Sequence, residues 1–378
     1  MSDPFDYLVW RGDITINQDG FNEVDNIILA LVSYIDFKNF IPAHPLVKKI
    51  KFKTACDHLF KVYPKDKMEL GLIVPHDIVE LTYEASRVNR FKDLYVSNMI
   101  DIIDEEREMQ FAAMVFHLDD DTIYVSYRGT DDTLIGWQEN LNLIVKFPVP
   151  AEIEAAKYLN EVASIYKDKK IYVGGQSKGG NLAVYAAIYC DDEIKDRIIE
   201  VYNNDGPGFE GPIDKDKFNL VKDKIIRIMP NNSIVGMMLK PYRGKDIIVK
   251  SVNKGVYQHN SVSWQVIGNK FETVDKLVQN SHNIEKAVQR TVDDLSYDER
   301  INLVEDTYNL IRNTNKKKLM EMTAINLNTL RAAKGYQNKN KRIFLHLFFT
   351  LQIYGAFQLN PEPNKKKRNK YPKKWYLL

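Results

Sequence analysis

Residues Ile171 to Cys190 read IYVGGQSKGGNLAVYAAIYC. An apolar run of strand length meets glycines, then a serine, then more glycines, and continues as an apolar run of helix length. A buried strand that turns this abruptly into a helix leaves the chain few folds. Gly175-Gln176-Ser177-Lys178-Gly179 fits G-x-S-x-G, the nucleophile elbow. The tight turn forces the serine into a strained backbone conformation, and side chains two positions either side would collide. The turn lifts the serine Oγ above the sheet. It also aims the next backbone N–H, that of Lys178, and the positive end of the helix at the same space. A phosphate-binding loop fits less well, because no G-x-x-x-x-G-K-[ST] is present.

The surroundings support a parallel α/β sheet. A helix over 151–167 precedes a strand over 169–174, and a helix over 179–190 precedes a strand over 198–203. A helix over 214–222 precedes a strand over 224–229, and 246–252 and 263–267 read as the last strands. Upstream, LYVSNMIDII, MQFAAMVFHL and TIYVSYRG are strand-like runs joined by the short acidic links DEERE and DDD, which predicts an antiparallel meander entering the sheet. Residues 23–35 place Val24, Ile27, Ile28, Leu31 and Ile35 on one helical face, with Asn22 as the cap. Residues 43–62 and 76–90 also read as helical.

With 378 residues, 44% of them hydrophobic, the chain can bury a sizeable core. A formal net charge of +2 implies no bulk electrostatic partner, so no specific nucleic-acid binding is expected. Cys56 and Cys190 are the only cysteines, which rules out a disulfide framework and a cysteine-rich zinc site. The acidic, polar start MSDPFDYLVWRGD has no signal-peptide core, and no apolar run reaches the roughly 20 residues of a membrane span. A cytoplasmic protein without metal or cofactor is the expectation.

A second motif lies in YVSYRGTDDTLIGWQENLNL, from Tyr124 to Leu143. Acyl transfer needs a second oxyanion donor from another loop, and the Thr130 backbone N–H, with or without its hydroxyl, suits that position. An ordinary Arg-Gly-Thr turn capped by Asp131 and Asp132 would look the same. Residues 133–150 suit either a lid or a packed helix.

With these two motifs the chain resembles the fungal-type (class 3) lipases, which carry a strand-borne F/Y-R-G-T, a nearby tryptophan and acidic residue, then a G-x-S-x-G-G elbow. The matching positions are Arg128, Gly129, Thr130, Trp137, Glu139, Ser177, Gly179 and Gly180. More closely, it is similar to an uncharacterised bacterial family of that lipase-like group, through a YLxWRGD segment at Tyr7 to Asp13 and NDGPGF at Asn204 to Phe209. The lipase resemblance spans about 90–270. It implies an α/β-hydrolase fold and esterase or lipase chemistry on a small-molecule or lipid ester.

A serine is a weak nucleophile until a histidine accepts its proton. His44, His58 and His76 precede the sheet, His117 lies on a strand before the elbow, and His282 and His346 fall in the helical C-terminal part. His259 follows the last parallel strands, where the hydrolase order Ser…Asp…His puts the base. The acid is less obvious. In the lipases it follows the strand matched by KIIRIMP, where this chain has Ser233. Asp205, ending the preceding strand, is the alternative, although an aspartate before Gly206 and Gly208 equally suits capping its own turn. Asp246 begins a strand and fits less well.

Residues 343–359 are strongly apolar between basic clusters, and suit either a helix buried on the body or peripheral membrane contact through 343–374. The expected organisation is a helical segment over 1–90, an α/β core over 91–275, a helical region over 276–359 and a basic, disordered tail over 360–378. The expected function is a serine hydrolase with Ser177, His259 and Asp205 at its centre, or else a non-catalytic lipid- or protein-binding protein on the same scaffold.

Overall fold

The computed structural model describes residues 2–71, 74–278 and 295–312. The expectations for 313–359, for the tail and for membrane contact through 343–374 fall outside the described residues. Eight strands form one sheet in sequence order: Lys49–Lys51 (β1), Tyr95–Asp104 (β2), Met109–His117 (β3), Thr122–Tyr127 (β4), Lys170–Gln176 (β5), Ile198–Asn204 (β6), Ile225–Pro230 (β7) and Lys245–Val249 (β8). β1 to β4 pair antiparallel, and β4 to β8 pair parallel. The meander joined by short acidic links therefore feeds a parallel half, in which each strand is reached by a crossover. This is the α/β-hydrolase arrangement.

The helices that cover the sheet are Pro4–Arg11 (α1), Glu23–Val32 (α2), Phe52–Val62 (α3), Asp77–Ala85 (α4), Leu134–Asn142 (α5), Pro150–Ile165 (α6) and Lys178–Tyr189 (α7). Tyr297–Arg312 (α8) packs against α5. Alternation along β4 sorts the two faces. Ile123, Val125 and Tyr127 join Ala155, Leu159, Leu182 and Ala186 of α6 and α7 in one core. Tyr124 joins Val24, Ile28 and Leu31 of α2, together with Phe52 and Leu59 of α3, in the other. Both faces are covered, so every residue of β4 is buried.

The Asn22 side chain caps α2 as the sequence indicates, accepting from the Val24 and Asp25 N–H groups. Polar contacts lock this segment in place. Asp25 and Arg90 are wholly buried and paired, with Arg90 Nε 2.6 Å from Asp25 Oδ1, and the Tyr7 hydroxyl donates to the same oxygen at 2.8 Å. Removing either partner would strand a buried charge, at a cost of about 3–5 kcal/mol. Asn26 carries α2 onto the sheet under the elbow: its Nδ2 donates to Asn204 Oδ1 at 2.9 Å, and Asn204 Nδ2 donates to the Gly175 carbonyl at 2.9 Å.

Several boundaries differ from the sequence reading. Within 43–62, residues 49–51 form the edge strand β1 against β2, and the helix starts only at Phe52. Strand pairing there overrides a helical pattern. The 76–90 helix stops at Ala85, because Val88 is extended before a single turn at Asn89–Lys92 that delivers Arg90 to Asp25. The 214–222 helix shrinks to Lys215–Asn219. Val266–Ile267 leaves the main sheet for a two-stranded hairpin with Lys270–Phe271, turned by Gly268 at φ 62°. Residues 134–142 are a packed helix, with Trp137 and Leu141 buried.

Among the described residues no helix is long and apolar enough to cross a membrane.

One buried acid makes the fold sensitive to pH. Glu152, in the first turn of α6, accepts the Val149 N–H at 2.9 Å through Oε2. Its Oε1 and the Asn181 Oδ1 of α7 are both buried without a hydrogen-bond partner. Burial pushes the Glu152 carboxyl up to about 8, opposed by the Val149 N–H and the Asn181 side chain. Because the folded value lies above the ordinary one, the stability this group contributes is complete below about pH 4.5. It is lost at about 1.4 kcal/mol per pH unit as the pH rises towards 8. Glu152→Gln is neutral at every pH and carries no ionisation penalty. Its melting temperature should therefore gain on wild type between pH 5 and pH 8.5, and a constant difference across that range would refute the assignment.

Candidate active site

Ser177 sits between β5 and α7 with φ 59° and ψ −131°, a conformation that L-residues avoid. The flanking glycines explain how the corner closes. A Cβ on Gly179 would lie 2.2 Å from the Tyr127 carbonyl oxygen, and one on Gly175 would lie 2.4 Å from the Gly179 backbone. The first turn of α7 is thus pressed onto the ends of β4 and β5. The serine stands at a helix N-terminus, where the first backbone N–H groups have no intrahelical acceptor.

His259 ends a short 3-10 segment, Gly255–His259, beyond β8. Its Nε2 lies 3.0 Å from Ser177 Oγ, and its Nδ1 lies 2.7 Å from Asp205 Oδ2. The His259 side chain is 27% exposed and that of Asp205 only 1%, so one end of this chain of contacts reaches solvent while the other is sealed. Asp205 follows β6 directly, with φ 51°. The structure therefore brings Ser177, His259 and Asp205 together.

Ser233 lies beyond β7, at the position where the lipase resemblance implies the acid. It is not separate from Asp205. Ser233 Oγ donates to Asp205 Oδ1 at 2.5 Å, and the Gly236 N–H donates to the same oxygen at 3.2 Å. One carboxylate oxygen is held by two donors, and the other is left for His259. Asp246 lies elsewhere, 3.6 Å from Arg227 on the neighbouring strand. His44 and His117 are engaged away from the serine, and His58 and His76 are exposed. His44 pairs with Glu161 at 2.6 Å, and His117 contacts Ser97 Oγ at 2.9 Å. Burial holds the His117 ring down to about 4, so it stays neutral. His282 and His346 fall outside the described residues.

Thr130 and Lys178 flank the serine from two directions. The pairing of Tyr127 with Gly175 makes β4 and β5 end side by side, so the Gly129-Thr130 segment leaves the sheet next to the elbow. The Thr130 hydroxyl is already committed, donating to Asn140 Oδ1 at 2.7 Å, which leaves the backbone N–H as the group to consider. Lys178 turns its side chain inward. Its Nζ meets Glu139 Oε2 at 2.6 Å and both oxygens of Gln110 at 2.8 Å, all three residues being buried. Glu139 also accepts the Gln110 and Ala151 N–H groups, so every polar group of this buried pair is satisfied. The pair ties α5 to the first residue of α7.

Two contacts at the site have no signature in the sequence. Gln176 Nε2 donates to the His259 carbonyl at 3.1 Å and lies 3.3 Å from His259 Nε2. The Tyr34 hydroxyl, from the segment after α2, donates to Gln176 Oε1 at 2.6 Å. Gln176 fills a variable position of G-x-S-x-G, and Tyr34 lies 142 residues earlier in the chain. Among the described residues no group of His, Cys, Asp or Glu is arranged to hold a metal ion.

The model of the Mbeg1-like family matches residues 85–309, more than half of the chain. The chain belongs to the Mbeg1-like family. The matched residues include Thr130, Ser177, Asp205, Ser233 and His259, but not Tyr34 or the Tyr7–Asp13 segment. No curated protein is significantly similar to this Mbeg1-like chain. Solved structures similar to it include the native Rhizomucor miehei lipase propeptide complex, at 19% identity over 56% of this chain and 68% of that chain, with a TM-score of 0.34. Lipase II from Rhizopus niveus is 13% identical over 68% of this chain and 86% of that chain, with a TM-score of 0.35. A fungal lipase–inhibitor complex is 17% identical over 68% and 89%, with a TM-score of 0.33.

Proposed function

We propose that this Mbeg1-like protein is a serine hydrolase that cleaves a carboxylic ester or thioester. The observation that carries the reading is the continuous contact from Ser177 Oγ to His259 Nε2 at 3.0 Å and from His259 Nδ1 to Asp205 Oδ2 at 2.7 Å.

Asp205 fixes the ring with its proton on Nδ1, so Nε2 is left to accept the Ser177 proton as Oγ attacks the carbonyl carbon. The carbonyl oxygen becomes an oxyanion, held by the backbone N–H groups of Lys178 and Thr130 and by the positive end of α7. His259 then gives its Nε2 proton to the departing alcohol or thiol, and an acyl-Ser177 ester remains. Water attacks that ester with His259 again accepting a proton, and collapse of the second intermediate returns the proton to Ser177 Oγ. The electrons and protons balance without a cofactor.

Covalent labelling tests the reading. A fluorophosphonate probe should modify wild type at one site, Ser177, and should not modify Ser177→Ala. Folded wild-type protein that stays unlabelled would favour the binding-protein alternative, since a serine without an activating base is inert to such probes at neutral pH.

A further inference from the structure

We propose that Gln176, held by Tyr34, is a positioning arm that fixes His259 beside Ser177, so that the N-terminal segment is part of the site. The inference rests on the hydrolase reading for its catalytic consequence, but its geometry stands independently.

The amide is held at both ends. The Tyr34 hydroxyl donates to Gln176 Oε1 at 2.6 Å. The His259 carbonyl can only accept, and it meets Gln176 Nε2 at 3.1 Å. No flipped amide satisfies both. Burial pushes the Tyr34 phenol up, so it remains a donor throughout the working range of pH. The hydroxyl is also clamped, because a Cβ on Gly129 would lie 2.0 Å from it and 2.6 Å from the Gln176 carbonyl oxygen. One hydroxyl therefore adjoins the strand end that leads to Thr130, the residue before Ser177, and, through a single amide, the loop that carries His259.

The same amide acts on the ring. Its Nε2 lies 3.3 Å from His259 Nε2, on the side that Ser177 Oγ approaches at 3.0 Å. Its bond to the His259 carbonyl holds the loop next to the serine, while Asp205 holds the ring at Nδ1 from the other side.

The test is the NMR spectrum of the His259 ring at one fixed pH in full-length protein with 15N-labelled histidine, together with the rate of phosphonate labelling. Gln176→Met removes the N–H and should move or broaden the His259 ring signals. Tyr34→Phe leaves the amide untethered and should give a smaller change of the same kind. In Gln176→Met and Tyr34→Phe the maximal labelling rate should fall about threefold to tenfold with little change in probe affinity. A purely structural role would lower the melting temperature and leave the ring signals where they were. Unmoved His259 signals in folded Gln176→Met overturn the proposal. If the signals change as expected while wild type resists labelling, the arm stands and the hydrolase reading falls.

Discussion

In His259→Ala, covalent labelling of Ser177 by a fluorophosphonate is expected to fall about 10⁴-fold or more, to the level of the Ser177→Ala control. A serine proton is held far too tightly to leave unaided at neutral pH, and among the described residues Nε2 of His259, 3.0 Å away, is the only ring nitrogen hydrogen-bonded to it. Gln176 also touches this space, but its amide is a donor here and cannot take a proton. Lys178 Nζ is next to the serine in sequence, yet it is buried against Glu139 and Gln110 on the other side of the elbow. Among the described residues no second base is hydrogen-bonded to Ser177 Oγ. Labelling that survives in His259→Ala would mean that Ser177 is activated by another group, and the assignment of the base would be wrong. The variant should stay folded, because the ring is partly exposed and its loss opens no sealed cavity.

The elbow was legible because its physics is local. Strand, glycine, serine, glycine and helix follow one another along the chain, and each residue answers a steric demand of its neighbour. The same holds for the Asn22 cap, where donor and acceptor lie within three residues. The two ends of the meander were legible from composition and short links. What the sequence hid is non-local. β1 is three residues with two lysines, and only its pairing with β2 makes it a strand. Arg90 breaks a helical pattern because Asp25, 65 residues away, needs a buried cation. Tyr34 and Gln176 meet across 142 residues, and neither residue type announces a site. The acid lies between these extremes. Asp205 and Ser233 could both be named as candidates from the chain, but a linear pattern treats them as rivals. The fold instead puts them in contact, because β6 and β7 are parallel neighbours and their ends open at the same edge of the sheet.

That contact sets the expectation for Asp205→Asn: turnover of a p-nitrophenyl ester should drop about 10³- to 10⁴-fold, with KM little changed. An asparagine keeps the volume and can keep the Ser233 and Gly236 hydrogen bonds by presenting its carbonyl oxygen to them. Its amide then faces His259 Nδ1 as a donor where a carboxylate had accepted. The ring answers by moving its proton to Nε2, and a protonated Nε2 cannot receive the proton of Ser177. The loss therefore falls on the chemical step, while the surface that binds the ester is unaltered. Ser233→Ala should cost much less, about tenfold or below, because the Gly236 N–H still holds Asp205 Oδ1 and the Oδ2 contact to His259 survives. The ratio between these two variants separates an acid from its support. If Asp205→Asn retains full turnover, Asp205 is only a turn cap. If Ser233→Ala is the more damaging of the two, the hydroxyl that occupies the lipases' acid position acts on the histidine by a route other than the carboxylate it touches.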